Sequence, residues 1–191
     1  MLNSDYRELC PVVLPNFGRQ MYMHTFNLAI PEMAKGFEDY LTPVRILCTW
    51  AGAFKGIAHM TVDEKVIEAG MSQRRPKPHV DGCFMPQQMR WGSGWAHGCN
   101  NIPLGEFKRM SVIIAASAVG CRAWRGVFDG DPKEDGDLSH LPLPDGEVLR
   151  PHIGYLLSPD CIHESMIQPQ PVLRTFLRIA LPVDYSFRGA A

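Results

Sequence analysis

MSVIIAASAVGCRAWRGVF, residues 110–128, decides the fold class. Its first half, MSVIIAASAV (110–119), is a short apolar run rich in branched residues, and Gly120 breaks it before CRAWRGVF (121–128) begins a second. Runs of this length, bounded by Gly, Pro or Asp, read as β-strands rather than helices. The same signature recurs on both sides, in VRILCTW (44–50), HIGYLLS (152–158) and VLRTFLRIALP (172–182). Many short strands punctuated by turn residues predict a mainly β protein, a sandwich or jelly roll with flanking helices packed outside it. The 16 prolines and 17 glycines count against a helical bundle, whose helices they would interrupt.

Helical character is expected in the first third. Pro31 suits the first turn of a helix running from Glu32 to Leu41, with Pro43 ending it, and Asp63 to Ala69 reads as a second helix. At 191 residues and 46% hydrophobic content the chain holds one domain's worth of core. The expected organisation is a single domain, 1–191, with an N-terminal helical part at about 1–70 and a metal-binding β core at about 71–182. DGDPKEDGDLSHLPLPD (129–145) combines turn formers with clustered acids and is expected to be an exposed loop.

A net charge of −1 and a pI near 6.6 supply no basic field for non-specific nucleic-acid binding, although SQRRPK (72–77) is locally basic. A small-molecule partner is the expectation, with nucleic acid disfavoured. No stretch approaches the roughly 18 consecutive apolar residues of a membrane span, and the N-terminus lacks a basic start followed by an apolar run. A soluble, cytoplasmic protein is therefore expected. The six cysteines show no C-x-x-C pair and fit reduced thiols. Cys83 and Cys161 each stand two residues from a candidate metal ligand, so a zinc site with thiolate ligands is a competing possibility; buried apolar thiols are the simpler one.

PKPHVDG (76–82) carries the first chemistry. Pro76 and Pro78 keep the segment extended, and His79 and Asp81, at i and i+2, then share one face, where an imidazole nitrogen and a carboxylate oxygen can reach the same ion. Seven histidines and 11 aspartates yield about 0.4 chance His-x-Asp matches, so a third ligand is needed. IGYLLSPDCIHESM (153–166) offers His163, 84 residues after His79. Two histidines and one carboxylate on one face of an octahedron leave three positions open, the arrangement of non-haem iron(II) oxygenases; zinc would be satisfied with four neighbours. Eleven residues beyond His163 stands Arg174, followed by Arg178, on LRTFLRIAL (173–181). On a strand both guanidinium groups share a face with Phe176 and Ala180, a costly arrangement unless an anion meets them.

His79-x-Asp81, the distant His163 and Arg174 together resemble the signature of the iron(II)- and 2-oxoglutarate-dependent dioxygenases, with spacing similar to the taurine dioxygenase and phytanoyl-CoA hydroxylase branches. The resemblance covers about 76–182. It implies a double-stranded β-helix, a jelly-roll form with flanking helices, and His79, Asp81 and His163 as the catalytic iron(II) ligands. It further implies that Arg174 binds the distal carboxylate of the cosubstrate 2-oxoglutarate, and that O₂ is consumed with release of succinate and CO₂. Hydroxylation is the implied outcome; the family's halogenases lack the carboxylate that Asp81 supplies. The family also places a Thr or Ser on a strand between the two metal motifs, where this chain has Cys121 and Arg122 in VGCRAWRG (119–126). That leaves the second cosubstrate contact unassigned.

Arg178 is the candidate substrate-binding residue, with a structural ion pair and a cosubstrate contact as alternatives. His97, in GSGWAHGCNN (92–101), marks a candidate substrate rim. His24, His59, His140 and His152 have no partner at ligand spacing and read as structural or exposed. Taken singly, His79 and Asp81 could be a surface pair, His163 a core histidine and the arginines a salt-bridged face; the order and spacing of the four favour a site. Two further readings stay open. A metal-dependent cupin-type enzyme could use the same ligand types without 2-oxoglutarate, and a non-catalytic jelly-roll binding protein would need no metal. A small or medium organic substrate is expected, chosen by loops the sequence does not decode.

Overall fold

The computed structural model describes residues 1–81, 110–133, 136–182 and 185–188, together with the backbone of two short strands between 84 and 91. In chain order the strands are β1 (Leu2–Ser4), β2 (Tyr6–Pro11), β3 (Gln20–Asn27), β4 (Ile57–Ile67), β5 (Phe84–Met85), β6 (Arg90–Trp91) and β7 (Val112–Ala116). They continue with β8 (Cys121–Ala123), β9 (Gly126–Phe128), β10 (Glu147–Val148), β11 (Ile153–Leu157), β12 (His163–Ser165) and β13 (Val172–Ala180). Among the described residues the only helix longer than one turn is α1 (Leu41–Ala51), so the chain is mainly β.

Six strands form one antiparallel sheet in the order β2-β11-β7-β13-β4-β3. Both of its faces are covered, which is why β7 reads as an unbroken apolar run with all five residues buried. On one face Ile113, Ala115, Leu177 and Ile179 pack with Val44, Leu47 and Cys48 of α1. On the other Val112, Ile114, Ala116, Phe176 and Ala180 pack with Cys121 and Ala123 of β8 and with Cys161. A smaller antiparallel sheet, β10-β8-β12, lies on this second side, and isolated bridges from His79 to His163 and to Asp137 extend it by another extended segment.

The expectations for the first 70 residues need correction. Four strands and one helix fill that part, which is not mainly helical. VRILCTW (44–50) lies inside α1: its buried residues Pro43, Val44, Leu47, Cys48 and Ala51 follow helical spacing, a stripe that the branched side chains conceal. Pro43 does not end a helix; it sits in the first turn of α1, where its missing N–H costs nothing. The helix stops at Gly52, left-handed at φ 75, with Gly52 N–H bonded to Thr49 O and Ala53 N–H to Cys48 O. Only Glu38–Tyr40 makes a helical turn within the span expected from Glu32 to Leu41. Asp63 to Ala69 is not a helix either: Asp63 to Ile67 belong to β4, where the buried acids Asp63 and Glu64 find partners. Arg19 pairs with Glu64 at 3.1 Å, and Gln20 donates to Asp63 at 2.8 Å.

No helix among the described residues is long and apolar enough to cross a membrane.

Candidate metal centre

His79 and His163 face each other across two backbone hydrogen bonds, His79 N–H to His163 O and His163 N–H to His79 O, both at 3.0 Å. Residues paired in this way project their side chains to the same side, and the two rings stand 4.5 Å apart between centroids, tilted by 51°. Further bonds hold the His79 segment as an extended strand: Leu138 N–H donates to Pro78 O and Val80 N–H to Gly136 O. Alternation along it turns Val80 into a cluster with Leu2, Trp124, Leu138 and Ile162, and brings Asp81 back to the face of His79.

The three side chains expected to hold a metal are therefore brought together, all buried, with one ligand atom from each lying within 4.8 Å of the others. His79 Nε2 is 4.0 Å from Asp81 Oδ1, and His163 Nε2 is 3.7 Å from Asp81 Oδ2. Donors at ~2.1 Å from a six-coordinate ion stand roughly 3 Å apart when adjacent. Small side-chain rotations bridge the difference. Backbone carbonyls orient both imidazoles, since His79 Nδ1 lies 2.6 Å from Lys77 O and His163 Nδ1 lies 3.0 Å from Cys161 O. A carbonyl only accepts, so each Nδ1 carries the hydrogen and each Nε2 keeps its lone pair for a metal.

The electrostatics agree. Burial, reinforced by His163, outweighs the pull of Asp81 and brings the His79 imidazole down to about 3, so that ring is neutral. Burial works against the Asp81 carboxylate, yet Arg178 and the neighbouring histidines hold it well below the usual carboxylate range. A neutral His79 imidazole and an ionised Asp81 carboxylate are the protonation states a divalent cation needs from those two ligands.

Arg174 and Arg178 do share one face of β13, with Phe176 and Ala180, as expected. Their surroundings differ. Arg178 Nη1 donates to Asp81 Oδ2 at 3.0 Å. Arg174 is 0% exposed, and its Nε donates to Ala118 O at 3.0 Å, Nη2 to Cys121 Sγ at 3.1 Å and Nη1 to Gln73 Oε1. Among the described residues no carboxylate lies within ion-pair reach of Arg174. It also lines a narrow slot of about 10 Å³, shared with Ile114, Ala116, Cys121, Leu149 and Tyr155. Gly120 makes room for the guanidinium, since a Cβ there would come within 2.9 Å of Arg174 Nε.

The departure at VGCRAWRG resolves into two faces. Cys121 touches Arg174, while Arg122 turns to Glu164 at 3.2 Å. Cys161 is not among the three side chains of the cluster; its contribution is the backbone carbonyl that orients His163. Cys83 and His97 lie outside the described residues. Gln73 is a neighbour of Arg174 that the sequence does not reveal, because an isolated glutamine carries no signal. Its Oε1 accepts from Arg174 and its Nε2 donates to the Asp63 and Arg174 carbonyls, joining β4, β13 and the guanidinium.

No protein-family model matches the chain, and no curated protein matches it.

Proposed function

We propose that the chain is a mononuclear iron(II) oxygenase that uses 2-oxoglutarate and O₂ to oxidise a small or medium organic molecule. The same reading takes its two sheets as the halves of a double-stranded β-helix. The observation that carries it is a completely buried guanidinium, Arg174, on the sheet face that also bears the arginine bonded to Asp81. A buried cation whose partners are a carbonyl, an amide oxygen, a thiol and the Phe176 ring, 5.5 Å away at its centroid, has no carboxylate partner among the described residues, and a carboxylate with two oxygens is the ligand its planar fork suits best.

His79, Asp81 and His163 would hold the iron, and when bound the metal and cosubstrate supply oxidative decarboxylation, forming succinate and CO₂ as the substrate is oxidised. The chain's own part is positioning. The Lys77 and Cys161 carbonyls keep both imidazoles in the tautomer that presents Nε2, and Arg174 would fix the far end of the cosubstrate. Apolar neighbours on the same face, Ile114, Ala116 and Phe176, exclude water from between the two.

Anaerobic addition of iron(II) and then 2-oxoglutarate tests the reading. A weak visible charge-transfer band from the chelated cosubstrate is expected, followed by succinate release once O₂ is admitted. Metal binding without the band would favour the cupin-type alternative, and absence of metal binding would refute the oxygenase reading.

A further inference from the structure

Asp81 has two carboxylate oxygens, and one of them is already engaged. Oδ2 accepts from Arg178 Nη1 at 3.0 Å between two buried side chains, while Oδ1 faces His79 Nε2 at 4.0 Å. Oδ2 also lies 3.7 Å from His163 Nε2, so the carboxylate is set between the two imidazoles with Arg178 behind it. Arg178 is itself fixed in place. Its strand is paired on both sides, opposite Thr61 of β4 and Ile114 of β7. Its second terminal nitrogen rests against Met23 Sδ at 3.8 Å. Met23 reaches that position through an irregularity in β3, where the register shifts between Met21 and His24 and Met23 takes φ 57, a conformation that costs a non-glycine residue energy.

A carboxylate free to rotate can bind a cation through both oxygens. In a six-coordinate ion held by two histidines, that chelation would leave two open positions where a bidentate cosubstrate and O₂ together require three. We propose that Arg178 is a positioning residue which holds Oδ2 and thereby keeps Asp81 a one-oxygen ligand, preserving three open positions on the metal. This differs from the substrate contact expected of Arg178 from sequence. It rests on the metal-centre reading above, and does not depend on 2-oxoglutarate being the cosubstrate.

Mn(II) alone, added to the full chain, provides the probe, because broadening of its electron paramagnetic resonance lines in ¹⁷O-water counts the exchangeable waters. Three are expected in the wild type. Arg178→Lys, whose ammonium still reaches the carboxylate, should also show three. Arg178→Met, which cannot donate, should show two as Asp81 turns and chelates. A purely structural role would lower the melting temperature without changing the count, so three waters in a folded Arg178→Met would overturn the proposal. Should that variant fail to fold, Arg178→Gln replaces it: its amide stops short of Oδ2, two waters are expected, and three again overturn the idea. A wild type that binds no Mn(II) would instead remove the metal centre itself, an outcome distinct from an unchanged count.

Discussion

Arg174→Lys should weaken 2-oxoglutarate binding by about 10- to 100-fold while leaving metal affinity nearly unchanged. In the wild type the guanidinium directs three donors apart, to Ala118 O, Gln73 Oε1 and Cys121 Sγ. A lysine ammonium has one nitrogen, so it cannot both hold the Ala118 carbonyl and offer two parallel donors to a carboxylate. Loss of one charge-assisted bond costs about 1.5–3 kcal/mol, and each ~1.4 kcal/mol is a decade of affinity. The metal should be indifferent, because none of these contacts involves His79, Asp81 or His163. Anaerobic titration of the iron-loaded protein, followed by the charge-transfer band, measures the cosubstrate affinity, and a separate iron(II) titration supplies the control. Arg174→Ala should bind still more weakly, but it empties a fully buried site and so must be compared at matched folded fraction. The reasoning fails if Arg174→Lys and Arg174→Ala bind 2-oxoglutarate normally while Arg178→Ala does not.

Further perturbations separate the remaining parts. His79→Ala should abolish metal binding with the circular dichroism spectrum retained, as measured by metal content after dialysis. Asp81→Ala should do the same but also destabilise the fold, because it removes the buried carboxylate that pairs with Arg178; denaturant unfolding would reveal whether it does. Gly120→Ala should displace the Arg174 and Gln168 side chains, each 2.9 Å from the new Cβ, and weaken 2-oxoglutarate binding without loss of metal. Glu64 supplies a pH dependence. Burial raises its pKa, but Arg19, the Phe17 and Arg19 backbone N–H groups and the Tyr40 hydroxyl together lower it. Its stabilisation is therefore present above the unfolded pKa near ~4.3 and is lost as pH falls through the lower folded value. Urea unfolding from pH 6 downward should show Glu64→Gln losing less stability on acidification than the wild type; equal slopes would contradict this.

Much of the β architecture is legible in the sequence because its strands are buried on both faces. β7 and β11 are apolar throughout or nearly so, β13 is buried along all but its first two residues despite its two arginines, and no exposed-face alternation confuses the reading. The N-terminal strands β2 and β3 are hidden for the opposite reason. YRELCP and QMYMHTFN pair at the two edges of the large sheet and mix exposed and buried positions irregularly, with bulges in both pairings. Helix α1 is masked by its composition, because branched residues suggest a strand where the spacing is helical. Val44, Leu47, Cys48 and Ala51 form a helical stripe, whereas strand alternation would have buried every second residue.

The candidate site is legible for a related physical reason. A metal ligand set needs particular side-chain types on one face, and the i, i+2 spacing of His79 and Asp81 is a property of any extended segment. What the sequence does not contain is the partner of that segment. His79 and His163 are 84 residues apart, yet they exchange two backbone hydrogen bonds, so the ligand geometry is a matter of strand register rather than of loop conformation. Register is an all-or-none property: slipping the 76–81 segment by one residue would turn His79 and Asp81 away and bring Val80 to the metal face. The cluster of Leu2, Val80, Trp124, Leu138 and Ile162 on the opposite side opposes that slip, because Val80 would have to leave it. The candidate metal site and the apolar cluster behind it are thus two faces of one pairing. Polar substitutions at Val80 should consequently damage metal binding although its side chain points away from the ligands. Val80→Thr offers the mildest version, nearly isosteric but with a hydroxyl in an apolar cluster. Reduced metal affinity together with a lowered melting temperature is the expected result, whereas a lowered melting temperature with unchanged affinity in the folded protein would show that the ligands are positioned independently of the register.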